Sequence, residues 1–377
     1  FLLLLFLLLL FLWLLLHLLS HRRMASIRGR LVACCLYLLP LAAYGAHLRN
    51  ADSSQGVDDE NHCEVVSSRG IMRSCDVFPR VPQSDAVVLT LLEEAGDFSF
   101  SATERMGMSH YVEDIESKGP GVVVYVVPTA LSAFVSEVLP QIRKPFTLVT
   151  GDSDQGPIAS LKSKAEFDKL ADDERLIHWF SQNALDEEAK HPKVSQMPIG
   201  LDFHTMRTTD VWGPKASPQK QESDLFASRM AAPSFANRTS MVEFSGSESS
   251  AIRGRIIQML QAQPQMVEMD STGARVNFWE SVGRHRFVAS PPGNGVDCHR
   301  TWEVLALGSI PLVSSKLHGL YERHGINVVT MEDKEWGQLK SPGVQKKMEE
   351  ASERALAQGN EFPDYLKLQY WMSIIRA

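Results

Sequence analysis

The sequence predicts an α/β protein built on two largely parallel sheets. Three observations lead there. From Ala86 onward, short apolar runs alternate with helix-like segments, the texture of strands joined by crossover helices. The stretch from Phe287 to Val313 reads as strand, glycine loop, helix, strand. The chain has 377 residues, 44% of them hydrophobic, which gives room for two domains of about 100–200 residues each.

Taken in order, the chain opens on residues 1–19, almost pure Leu and Phe. That is close to the roughly 20 apolar residues that span a bilayer. Met24 starts a second pattern: Arg28 and Arg30, then the apolar run Leu31 to Ala46, with Ala43-Tyr44-Gly45 as a small-x-small cleavage site. These are the parts of a signal sequence. Residues 1–23 are therefore expected to be translated upstream sequence or a membrane anchor, and 24–46 a signal peptide or signal anchor. Either points to the lumen of the Golgi or endoplasmic reticulum. The protein is a type II membrane protein if the signal is kept and secreted if it is cleaved. Residues 47–84 begin polar, with Asp52, Asp58, Asp59 and Glu60, and are expected to form a stem or linker. In an oxidising compartment Cys63 and Cys75 are candidates to pair, leaving Cys298 free. Asn237-Arg238-Thr239 is a glycosylation sequon.

Residues 85–209 are expected to form a first α/β domain. Its strands are placed at Ala86–Leu92, Val122–Val127, Thr147–Thr150, Leu176–Phe180 and Gln196–Ile199, with helices at Leu131–Ile142 and Ser160–Ala171. Ligands of open α/β sheets bind beyond the carboxyl ends of the strands. Polar residues at such positions are Asp152 and Asp154, His178, and the pair Asp202 and His204. Asp152-x-Asp154 has the spacing of a metal-binding pair, and a loop-capping role is the competing reading. Residues 210–240, rich in Pro, Ser, Lys and Gln, read as a linker or a loop lining the cleft. Residues 241–377 form the second domain, with a strand at Met241–Phe244, helices at Ala251–Gln261 and Asn277–Gly283, a strand at Ile326–Thr330, and terminal helices at Lys346–Gln358 and Tyr365–Arg376.

The central unit carries the chemistry. Pro291-Pro292-Gly293-Asn294-Gly295 must be a tight loop. Asp297 is placed to cap a helix from Cys298 to Leu307, Gly308 to end it, and Ser309–Val313 to form the next strand. A glycine loop feeding a helix N-terminus offers free N–H groups and the positive end of the helix dipole, which together hold phosphate. Arg300 and Glu303 share a face there, the first suited to a diphosphate and the second to ribose hydroxyls. The plainer alternative is a buried βαβ unit without a ligand.

The pattern Phe287, Pro292, Gly293, Gly295, Arg300, Glu303, Leu305, Gly308, Ile310, Pro311, Val313 resembles the nucleotide-sugar motif of exostosin-like glycosyltransferases (glycosyltransferase family 47 and relatives, including the ribitol xylosyltransferase type). Trp179-Phe180-x-Gln182-Asn183 and Pro198-Ile199-Gly200-Leu201 extend the resemblance over roughly Phe146 to Trp336. Asp297-Cys298-His299 departs from the exostosin form, so the resemblance points to a broad family and not to a sugar. It implies a GT-B-like fold, two Rossmann-like domains facing a cleft, with the last helix returning to the first domain. It also implies inverting, metal-independent transfer of a hexose or pentose from a nucleotide-sugar to a glycan or glycoprotein acceptor. On that reading Pro292, Gly293, Asn294, Gly295, Asp297, His299, Arg300 and Glu303 bind donor, and Arg253 and Arg284 or Arg286 are candidates to assist, with a surface cation the plainer reading of each. The base comes from the first domain: Asp202, then His204, then Asp152. No cofactor is expected beyond the nucleotide-sugar substrate, and a divalent metal is not favoured.

Other classes fit less well. A net charge of -7 and a pI near 6.0 give no basic surplus for nucleic acid. No G-x-S-x-G elbow is present. Asp297, Cys298 and His299 suggest a metal-dependent hydrolase, but three consecutive residues at a helix start cannot all face one ion. A non-catalytic sugar- or nucleotide-binding protein on the same fold stays open.

Overall fold

The computed structural model describes residues 60–79, 109–161, 163–270 and 273–377. In its first half β1 (Val122–Val126), β2 (Phe146–Thr150), β3 (Leu176–Ser181) and β4 (Val194–Gln196) pair in that order, all parallel. β1 and β2 are buried at every position, as strands covered on both faces must be, which is why they read as near-continuous apolar runs. Helices α1 (Ser68–Ser74), α2 (Ser109–Ser117) and α3 (Lys164–Ala171) accompany this sheet. Ser67 and Ser163 cap α1 and α3 by accepting the N–H groups of Gly70 and Glu166. The single helix expected at Leu131–Ile142 is instead a 3-10 turn, a short α turn and a π turn running from Pro128 to Val138. The π turn seats Phe134 between Tyr111 and Phe146, ring centroids 6.2 and 6.0 Å away.

The expected stem is corrected in part. Residues 60–79 belong to the fold, because Val65, Val66, Ile71 and Met72 are wholly buried in the first core. The acidic composition before them masks this apolar quartet. Cys63 and Cys75 are both free and buried, so the expected disulfide is not formed. Burial pushes both thiols well above their usual range, and Cys75 Sγ donates to the Ile71 carbonyl at 3.2 Å.

The segment read as a linker holds α4 (His204–Thr208) and the 14-residue α5 (Pro218–Ala231). Ser217 caps α5 and Pro218 starts it. Its hidden face is largely polar, which is why apolar periodicity does not reveal it. Gln221 donates to the carbonyls of Phe203 and Ala216, both at 2.8 Å, and Glu222 accepts the Val65 N–H at 2.8 Å.

Burial pushes the Glu222 carboxyl up to about 7. A carboxyl raised in the folded state gives stability that is complete below its unfolded value and lost as pH rises through about 7. Glu222→Gln keeps an oxygen for Val65 and removes the charge. It is expected to raise the melting temperature at about pH 8 and to leave it unchanged at about pH 4. An equal shift at both ends would show that ionisation plays no part.

The second half is a five-stranded parallel sheet in the order β6-β5-β7-β8-β9. Its elements run β5 (Thr239–Ser245), α6 (Ala251–Gln261), β6 (Val267–Asp270), α7 (Arg275–Arg284), β7 (His285–Ala289), α8 (His299–Ala306), β8 (Ile310–Ser314), α9 (His318–Arg323), β9 (Val329–Met331), α10 (Pro342–Gln358) and α11 (Leu368–Ile375). Gly308, at φ 76°, ends the turn after α8 as expected. The chain leaves β5 to one side and returns to the other as β7, so the crevice beyond their carboxyl ends is the switch point of this sheet. α11 returns to the first half. The Leu368 N–H donates to the Glu64 carbonyl at 2.8 Å, and Arg376 pairs with Asp76 at 3.0 Å.

One apolar core runs from the first sheet through α1 and α11 to α8; another fills the opposite face of the second sheet. Both halves lie in one unit, Asp58–Ala377. The two-sheet α/β layout facing a cleft is the one the GT-B-like expectation describes. The segments 1–23 and 24–46 and the strand Ala86–Leu92 lie outside the described residues. Among the described residues no helix is long and apolar enough to cross a membrane.

Candidate functional site

A cleft of about 540 Å³ opens at the switch point of the second sheet. Ser245, Gly246 and Ser247 line it from the end of β5, Gly273 and Ala274 from the approach to α7, and Arg275 and Phe278 from α7 itself. Cys298, His299, Arg300 and Glu303 enter at the start of α8, and Asp202 and Trp212 face them from across the cleft.

Arg300 is held by rings, not by a carboxylate. Its guanidinium carbon lies 5.2 Å from the Phe244 ring centroid and 5.3 Å from that of Phe278. Nη1 is buried and has no hydrogen-bond partner among the described residues. Gly246, at φ 150°, lets the backbone come this near, since a Cβ there would sit 2.5 Å from Nη2. Glu243 lies on β5, and burial pushes its carboxyl up despite the pull of Arg300. A buried donor left unsatisfied in a cleft calls for an external acceptor. Glu303, one turn along α8, accepts from Arg275 Nε at 3.2 Å and from the Trp279 indole at 3.3 Å.

The glycine loop is tied into the fold by contacts of its own. Pro292, Gly293, Asn294 and Gly295 do not line the cleft. Arg253 donates to the carbonyls of Pro291 and Pro292 at 3.0 and 3.2 Å, so the loop turns carbonyls toward that cation. Gly295 packs on the first half, where a Cβ would sit 2.9 Å from Asn183 Oδ1. Asp297 is corrected too: the residue at the cap of α8 is Cys298. The buried Asp297 carboxylate accepts the Ile199 N–H and the Trp302 indole N–H, both at 2.9 Å. Burial pushes that carboxyl up to about 6 even so. With the Asp297 N–H on Asn183 Oδ1 at 2.8 Å, the run joins the two halves.

His299 completes this seam and also faces the cleft. Its Nδ1 lies 2.8 Å from the Gly200 carbonyl, an acceptor only, so Nδ1 carries a proton. His204 packs edge-on to it, centroids 5.8 Å apart. Asp202 pairs with His204 Nδ1 at 3.1 Å, accepts the N–H and hydroxyl of Thr205 at 2.9 and 2.7 Å, and lies 4.0 Å from Arg275. Burial pushes the Asp202 carboxyl up, but His204, His299, Arg275 and the Thr205 N–H outweigh it and hold it below the usual carboxylate range. Asp202 is therefore a fixed anion and a poor proton acceptor. Burial pushes His204 down, with Asp202 pulling the other way.

The remaining candidates do not line the cleft. Asp152 pairs with Arg69 at 3.3 Å, in a left-handed backbone at φ 62° fixed by its N–H on Gln182 Oε1 at 2.7 Å. Asp154 lies beside Gly295. Among the described residues no group of three His, Cys, Asp or Glu side chains is placed to hold a metal. His178 bonds to Ser195 at 2.8 Å, and Arg286 to the Phe235 and Ala236 carbonyls. Asn237 is exposed. Sequence reasoning missed Trp212, Arg275, Phe278 and the Ser245-Gly246-Ser247 loop. That loop had a signal, because Ser-Gly-Ser between a strand and the Ala251 helix repeats the pattern sought further on.

No protein-family model matches the chain, and no curated protein does. Among solved structures the chain is similar to an alpha-glucosyltransferase in complex with UDP and a 13-mer DNA containing a central A:G mismatch. The identity is 10%, over 68% of this chain and 80% of that chain, with a TM-score of 0.31. It is also similar to an alpha,alpha-trehalose-phosphate synthase (UDP-forming) from Burkholderia vietnamiensis, at 11% identity over 78% and 82% of the two chains, with a TM-score of 0.39. The site assignments rest on the geometry of the cleft.

Proposed function

We propose that the protein is a glycosyltransferase of exostosin-like type that binds a nucleotide-sugar in this cleft and passes its sugar, with inversion, to a glycan or glycoprotein hydroxyl. The observation that carries this is Arg300: a cation with a buried, unpartnered donor, clamped between two rings at a helix start in a cleft. Such a group suits a diphosphate, and it serves more strongly as the leaving group gains charge. The acceptor oxygen forms a bond to the anomeric carbon while the bond to the diphosphate oxygen breaks, its electron pair leaving with the diphosphate. The hydroxyl proton goes to His204, whose Nδ1 is oriented by Asp202 so that Nε2 is the basic nitrogen. The signal-like residues 24–46 and the exposed Asn237 sequon support action in the Golgi or endoplasmic reticulum lumen.

The test is a panel of nucleotide-sugars with glycan acceptors. Release of nucleoside diphosphate is expected with at least one donor, dependent on acceptor and unaffected by EDTA. Loss with EDTA that manganese restores would move the leaving-group role to a metal. A donor that raises the melting temperature but is never turned over would favour the non-catalytic binder.

A further inference from the structure

We propose that Trp212 is the platform on which the nucleobase of the donor stacks, an inference that rests on the nucleotide-sugar reading above. Trp212 is a large apolar side chain left 38% exposed, and it lies on the cleft wall. It is not loose. Its carbonyl accepts the Arg275 N–H at 2.9 Å, and the Arg275 guanidinium carbon sits 5.0 Å from its ring centroid. Arg275 is itself buried and fixed, by Glu303 at 3.2 Å and by Gln221 at 2.7 Å. The indole thus rests on an immobile cation and offers its remaining surface to the cleft.

The order of groups identifies the occupant. Arg300 leads to Glu303 one turn along α8, Glu303 to Arg275 by an ion pair, and Arg275 to Trp212 by stacking. Cation, carboxylate and aromatic surface follow in the sequence diphosphate, ribose, base. Every nucleobase has a π-face, and loss of an aromatic residue beneath a base weakens binding about tenfold or more.

The test titrates the full chain and its Trp212→Ala and Trp212→Phe variants with UDP, GDP and inorganic pyrophosphate. Trp212→Ala is expected to bind the preferred nucleotide about tenfold or more weakly, Trp212→Phe to recover most of that loss, and pyrophosphate to bind all three alike. Equal nucleotide affinity in Trp212→Ala and the native chain overturns the proposal. So does a defect confined to the KM for acceptor, which would make Trp212 a surface for the glycan. Native chain that binds pyrophosphate but neither nucleotide would bring down the donor reading itself, and the platform with it.

Discussion

Replacing Arg300 by Ala is expected to weaken binding of the donor and of the free nucleoside diphosphate on the order of a hundredfold, with the melting temperature nearly unchanged. A hydrogen bond to a charged group contributes about 1.5–3 kcal/mol, and here the donor side is pre-arranged between Phe244 and Phe278. Stability is spared because no ion pair holds Arg300 in place among the described residues, and Nη1 has no bond to lose. Arg300→Lys restores the charge but not the planar group that lies between two rings, so only part of the affinity is expected back. Calorimetric titration with a nucleoside diphosphate, beside a thermal melt, decides it. Native affinity in a folded Arg300→Ala protein would remove α8 from the nucleotide site and leave the proposed function without its main support.

His204→Ala is expected to lower kcat by about a hundredfold or more with donor affinity unchanged, the signature of a lost base. The proposed base is His204 and not its neighbour Asp202, the residue preferred on sequence grounds. The Asp202 oxygens are occupied by Thr205 and His204, and the carboxylate stays ionised. Asp202→Asn should therefore lose rate as well, by releasing the imidazole from its orientation, but it also strips a buried anion from Arg275 and Thr205. His204→Ala is the cleaner variant. Burial holds the His204 imidazole below its usual range, so kcat should rise with pH and level off with a midpoint below the ordinary histidine value of about 6.5. Normal turnover in His204→Ala together with collapse in His299→Ala would transfer the role to His299, which lines the same cleft.

What the sequence determined by itself was local. The runs of β1, β2 and β8 are strands whose burial at every position favours apolar residues along them. The helix Ala251–Gln261 has the bounds its periodicity gives. Arg300 and Glu303 share a face of α8 because positions three apart on any helix do. Only the tertiary structure decided what those faces meet. Gly295 looked like a phosphate cradle, but close packing on Asn183 demands the same missing side chain. Asp297 looked like a helix cap, and it became a strut to the Ile199 N–H in the loop after β4. α5 hides a polar face satisfied by distant carbonyls, which no periodicity in its own sequence encodes. Trp212 and Arg275 are far apart in the chain and meet only once both halves are folded. A residue's own neighbours set its backbone; the cleft is set by which strand ends face each other, and that is fixed by the packing of the whole chain.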